Sequence, residues 1–118
     1  MEFLVSIGSI TKEAAEFLQT LVRTRYSMMI GGATGSGKTT FLNVLSAYIP
    51  KGERIITIED NAELQIQGVE NLVRLEAKEA NLESGTEITI PDLIRAALRM
   101  RPNRVIIGEV RGAETFEL

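Results

Sequence analysis

The segment Gly32-Ala33-Thr34-Gly35-Ser36-Gly37-Lys38-Thr39-Thr40 constrains this chain more than any other. It follows the apolar run Tyr26-Ser27-Met28-Met29-Ile30, read as a buried strand, and it opens a helix expected from Thr39 to about Tyr48. A glycine-rich turn between strand and helix aims backbone N–H groups at one point, and the helix N-terminus adds partial positive charge. That arrangement holds phosphate without bulky side chains. Gly32, Ala33, Thr34, Gly35, Ser36 and Gly37 form the cradle. Lys38 reaches the β and γ phosphates, the Thr39 hydroxyl ligates Mg²⁺, and Thr40 closes the motif. With glycine near 7% of residues, the four fixed positions match by chance in roughly a few per thousand chains of this length. The implied ligands are ATP and Mg²⁺.

The rest of the chain alternates helices with strands. Thr11 caps a first helix with Glu13 in its first turn and an apolar stripe of Ala14, Phe17, Leu18, Leu21 and Val22. Arg54-Ile55-Ile56-Thr57-Ile58 is a β-branched strand, and Asn71 to Glu76 alternates as a half-exposed one. Residues 77 to 88 are polar and form a loop. Thr89 caps a helix with Pro91 in its first turn and Leu93, Ile94, Ala97 and Leu98 as its core stripe, ended by Pro102. Arg104-Val105-Ile106-Ile107-Gly108 reads as a further buried strand; Gly112 permits a turn, and Ala113 to Leu118 opens a helix. This order predicts an α/β fold, a mostly parallel sheet with flanking helices. It divides into a helical lead-in over 1–25 and a partial nucleotide-binding domain over 26–118, one domain in all.

Composition narrows the partners. No stretch is apolar enough to span a bilayer. The absence of Cys and His leaves no disulfide framework and no zinc site, which suits a cytosolic setting. A net charge of −3, with no aromatics interleaved among the basic residues, disfavours nucleic acid as a partner.

Chemistry in an open α/β sheet gathers at the carboxyl ends of the strands. Two strands end in acid, one at Glu59-Asp60 and one at Glu109. Phosphoryl transfer needs one carboxylate in the metal's shell and one to orient the attacking water, and these residues are the candidates. Glu63 and Glu76 read as solvated surface. Arg95, Arg99, Arg101, Arg104 and Arg111 cluster nearby. Some of these could approach phosphates of a neighbouring subunit, because a guanidinium grips phosphate bidentately, and Arg111, directly after an acidic strand end, is singled out as functional.

With these residues in view, the chain resembles the type II/type IV secretion ATPases, hexameric motors with a RecA-like core. Residues 32–40 are similar to their Walker A motif, and Ile56 to Asp60 with Ala62-Glu63-Leu64 to their Asp box. Leu98-Arg99-Met100-Arg101-Pro102 and Val105 to Gly112 resemble their atypical Walker B region, with glycine then glutamate where many P-loop enzymes place aspartate. Asn43-Val44-Leu45-Ser46 and Glu109-Val110-Arg111-Gly112 look closest to the Tad/Flp-type pilus and conjugative-transfer branches. The resemblance implies that Glu59 polarises the attacking water and that Glu109 acts on Mg²⁺ through water. It also implies a homohexamer at an inner-membrane platform protein, cytoplasmic and peripheral to that membrane. Family members add an N-terminal domain and a His box, so the 118 residues are expected to stop inside the catalytic domain and to hydrolyse little ATP alone. Two other readings stay open: a nucleic-acid translocase of the same fold, and a nucleotide-responsive switch without turnover.

Overall fold

The computed structural model describes residues 1–33, 35–79 and 85–109. The chain packs as two compact units, one comprising 1–51 with 64–68 and the other 52–63 with 69–118.

The second unit is built on a parallel sheet. Strand β1 (Arg54–Glu59) lies between β2 (Asn71–Glu76) and β3 (Arg104–Ile107). The run Ile55-Ile56-Thr57-Ile58 has no solvent exposure, as expected of a central parallel strand apolar on both faces. Ile55 pairs with Leu72 and Arg104, and Ile58 with Leu75 and Ile107. On one face Ile56 and Ile58, flanked by Val73, Leu75, Val105 and Ile107, meet Ile90, Ile94 and Ala97 of α4 (Ile90–Leu98). Burying each isoleucine contributes about 1.5–3 kcal/mol relative to exposure.

Helix α4 starts where its sequence dictates. The Thr89 hydroxyl accepts from Asp92 N at 3.3 Å, and the Asp92 carboxylate accepts from Thr89 N at 3.0 Å, a complete capping box with Pro91 in the first turn. Its stripe differs from expectation at one end: Leu98 is 62% exposed. The turn after α4 brings Met100 back against the cluster, so that side of the core is filled without Leu98. Arg101, at φ 55, and Pro102 then end the segment.

Polar groups pin the starting ends of the strands. Arg104 Nε donates to both Glu53 carboxylate oxygens at 3.0 Å; Arg54 Nε donates to Met100 O at 2.8 Å and Nη1 to Asn71 Oδ1 at 2.9 Å. Strand β3 is half-buried rather than fully buried, since among the described residues it pairs with β1 alone. Of the 77–88 loop, Lys78 and Ile88 form an antiparallel bridge.

The first unit holds α1 (Glu2–Ser6), α2 (Lys12–Arg23) and α3 (Lys38–Ser46). Thr11 caps α2, its hydroxyl accepting from Ala14 N at 3.1 Å. Helix α2 buries Ala15 and Val22, whereas Phe17 is 64% exposed. The expected stripe is therefore rotated. Helix α3 packs on α2, and α1 forms a groove with it lined by Val5, Ala15 and Gln19, so neighbours choose the Ala15 side. Arg23 lies 5.9 Å from the Tyr48 ring, a cation–π contact across the α2–α3 pair. Residues 64–68 join this unit, Gln65 N donating to Asn43 Oδ1 at 2.9 Å.

The expected strand at 26–30 is not formed. Tyr26 and Met29 are 65% and 76% exposed, and among the described residues no segment pairs with this stretch. A strand exists only where a neighbour satisfies its N–H and C=O groups. The turn at Gly112 and the helix at 113–118 lie outside the described residues. Among the described residues no helix is long and apolar enough to cross a membrane.

The capping box generates a pH-dependent prediction. The Thr89 backbone N–H, then its hydroxyl and the Arg95 guanidinium, hold the Asp92 carboxyl below its ordinary value of 3.8. Its contribution is therefore complete above that value and is lost as pH falls through the lower folded one. Thr89→Ala should cost about 1 kcal/mol by denaturant unfolding. Asp92→Asn should flatten the acid limb of stability against pH; an unchanged limb would rule out the box as its source.

Candidate functional site

The candidate residues fall in two groups, the glycine-rich loop in the first unit and the acidic strand ends in the second. In the loop, Gly37 is the N-cap of α3 at φ 94 and Gly35 sits at φ 78, left-handed values that a side chain tolerates poorly. Gly32 is constrained by space instead. A Cβ there would stand 2.5 Å from Ser36 Oγ and 3.4 Å from Lys38 Cγ. Ser36 N donates to Ala33 O at 3.1 Å, closing the turn, and Phe41 N donates to Gly37 O at 2.9 Å, starting the helix. Lys38 Nζ donates to Gly32 O at 2.7 Å, which folds the ammonium over the loop.

Thr39 is half-buried at the second position of α3, and Thr40 is exposed. The donor set fits a polyphosphate: a nine-residue helix opens from the loop with Gly37 at its N-cap, and the Lys38 ammonium lies over the turn. Among the described residues no three acidic, His or Cys side chains group to hold a metal by themselves. A magnesium ion at phosphates needs only one or two protein oxygens, so Thr39 suffices as a starting ligand. Thr34 lies outside the described residues.

In the second unit Glu59 ends β1 and is buried, with 5% exposure. Its Oε1 accepts from Glu63 N at 3.0 Å, and its Oε2 lies 3.8 Å from Arg74 Nη2. The ladder continues past it: Ala77 N donates to Glu59 O, and Gly108 N to Ile58 O, both at 2.9 Å. The parallel register thus brings Glu59, Gly108 and Arg74 together at the carboxyl end of the sheet. Glu109 follows on an exposed backbone, while Glu63 and Glu76 are exposed, in keeping with solvated surface.

Arg111 lies outside the described residues. Among the other arginines, Arg95 pairs with Asp92 at 3.3 Å and Arg104 is engaged by Glu53. Arg99 and Arg101 are exposed. Sequence reasoning missed Arg74. The sequence carried half of the signal, since period-two alternation along β2 puts Arg74 and Glu76 on one face; the pairing Glu59↔Glu76, which makes Arg74 a diagonal neighbour of Glu59, comes from the structure.

The sequence pattern of the Type II/IV secretion system protein family matches residues 3–118. The chain belongs to that family. Among its relatives, a Mycobacterium tuberculosis protein named provisionally for conjugal transfer is 43% identical over 115 residues, covering 98% of this chain and 32% of the relative. The type IV secretion system protein PtlH of Bordetella pertussis is 41% identical over 102 residues, covering 86% of this chain and 30% of PtlH. The crystal structure of the VirB11 ATPase of Brucella suis, in complex with sulphate, superposes with a TM-score of 0.77 at 33% identity. That match covers 98% of this chain and 32% of VirB11, so the chain spans about a third of these family members. The mixed α/β fold with its parallel sheet is thus that of a secretion ATPase.

The loop geometry carries its own test. Gly32→Ala should weaken ADP binding measurably but modestly, because the hydroxyl in the way ends an exposed Ser36 side chain that can rotate. Adding Ser36→Ala should recover part of it, because the nearest remaining atoms would stand at 3.4 Å. Calorimetry showing no recovery in the double variant would place the conflict elsewhere.

Proposed function

We propose that this chain is the nucleotide-binding and ATP-hydrolysing part of a secretion or pilus-assembly motor. The observation that carries the reading is the loop itself: Gly35 and Gly37 in left-handed conformations, Gly32 packed against Ser36, and Lys38 folded over the turn. Residues 32–40 bind the phosphates. Thr39, with Glu109 through water, would hold Mg²⁺, which would supply neutralisation of phosphate charge. Glu59 orients the attacking water. Arg111 is assigned to phosphate contact, and residues 1–25 form a lead-in to a nucleotide-binding domain that starts at 26.

Membership of the family supports the wider setting, in which copies of the parent protein form a hexameric ring against an inner-membrane platform on the cytoplasmic side. Hydrolysis then moves the ring. A second reading, DNA transfer by the same ring, is favoured by the name of the mycobacterial relative and opposed by the acidic balance of this chain. Turnover by the parent protein that rises strongly with added DNA would select it.

Three substitutions in the parent protein test the assignment. Lys38→Ala should weaken ATP or ADP binding about ten- to a hundredfold, since a charge-assisted bond contributes roughly 1.5–3 kcal/mol. Equal calorimetric affinity in the variant would remove Lys38 from the site. Glu59→Gln should keep nucleotide affinity but lose turnover by about 10²–10⁴, the usual contribution of a positioned base. Glu109→Ala should instead raise the Mg²⁺ concentration needed for half-maximal activity. Normal hydrolysis by Glu59→Gln would reduce that carboxylate to a polar strand end.

A further inference from the structure

Gly108 stands where β3 leaves the sheet, beside Glu59 on the neighbouring strand. It is not held in a left-handed conformation, so its backbone does not require glycine. Space does. A Cβ on residue 108 would lie 2.9 Å from Glu59 Cγ, 3.4 Å from Oε1 and 3.6 Å from Cβ. The first distance is one that real Cβ atoms do not show, so something would have to shift. The atom in the way is mid-chain in a buried side chain, not the free end of an exposed one. Glu59 has 5% exposure, one carboxylate oxygen on Glu63 N and the other near Arg74. Gly108 itself is restrained, because its N–H is bonded to Ile58 O at 2.9 Å just past the end of β3.

We infer that Gly108 is a positioning residue for Glu59: the missing side chain is the slot in which the Glu59 stem lies, and the slot sets where the carboxylate ends. In P-loop enzymes generally an aspartate at the end of this kind of strand serves the metal. Here that volume belongs to a carboxylate arriving from the adjacent strand β1. The pair Gly108 and Glu59 is therefore one unit, and substitution of either is read through the other. The inference rests on the reading of Glu59 as the residue that orients water.

The test is a double-mutant cycle in the parent protein, with turnover, nucleotide affinity and thermal stability read on each variant. Gly108→Ala should lower kcat on the order of 10²-fold, as a displacement of about 1 Å does, with KM and nucleotide affinity unchanged. In a Glu59→Gln background the same substitution should add little further loss of turnover. The stability arm is independent of catalysis. Gly108→Ala should lower Tm by roughly 3–8 °C with Glu59 present, as overpacking does in a domain of this size. It should cost almost nothing in a Glu59→Ala background, where the nearest remaining atom is at an ordinary 3.6 Å. If Gly108→Ala alone fails to fold, the double variant Gly108→Ala/Glu59→Ala should fold.

Wild-type turnover in Gly108→Ala, or a loss of turnover as large in the Glu59→Gln background together with a loss of Tm as large in the Glu59→Ala background, would overturn the inference. Wild-type turnover in Glu59→Gln would instead remove the catalytic reading of Glu59, and the stability arm would still decide whether the slot exists.

Discussion

Strand β1 is sealed from water from Ile55 to Ile58 and flanked on both sides. Its backbone N–H and C=O groups can be satisfied only by β2 and β3, because an unpaired buried peptide group costs as much as a lost hydrogen bond. That requirement fixes the pairing, the side-chain pattern fixes its register, and the register fixes nearly everything else in this unit. A slip of one residue would turn Ile56 and Ile58 away from α4 and present Thr57 to the apolar cluster. It would also separate Glu59 from Gly108. The same pairing that builds the core thus aims the carboxylate.

Parallel strands start at one edge of a sheet and end at the other, and the two edges here are chemically different. At the starting edge, charge is tied up within the fold: Arg104 is gripped by both oxygens of Glu53, and Arg54 is spread over Met100 O and Asn71. Breaking such a buried pair leaves an uncompensated charge, so these groups serve structure. At the finishing edge the Glu59 carboxylate accepts from Glu63 N and lies 3.8 Å from a half-exposed Arg74. The Arg74 contact is long, and its arginine end is wet, so its Coulombic attraction is screened. The carboxylate is thus held by placement more than by charge.

What the sequence made legible was whatever is decided locally. Thr11 and Thr89 declare helix starts because the cap and its N–H partner are three residues apart. The Ile55-Ile56-Thr57-Ile58 run declares a central strand because only a doubly buried position is apolar on both faces. The glycine loop was legible for the same reason, being one continuous segment. What failed was decided by distant neighbours. Phe17 and Leu98 lie at the margins of their apolar stripes, and Ala15 and Met100 took the core positions once packing partners were in place. Tyr26 to Ile30 has strand composition but no strand to pair with among the described residues. Helix α1 is five residues long, too short to show a period. Arg74 could be placed beside Glu59 only after the register was known.

Glycine shows the difference most sharply, since it reads identically in every motif. Gly37 is needed for its backbone angle, and any side chain there meets the same left-handed penalty whatever surrounds it. Gly32 is close-packed within its own loop, a softer constraint that it shares with the Ser36 hydroxyl four residues on. Gly108 is needed for space claimed by a residue of another strand, and its constraint is set by Glu59. The first kind of glycine follows from local conformation, the second from the motif, the third only from the sheet. It also follows that the third kind is conditional. A larger residue becomes admissible at 108 once the side chain at 59 is shortened, whereas no change elsewhere frees position 37 from its angle. Gly108 is therefore evidence about the strand next to it.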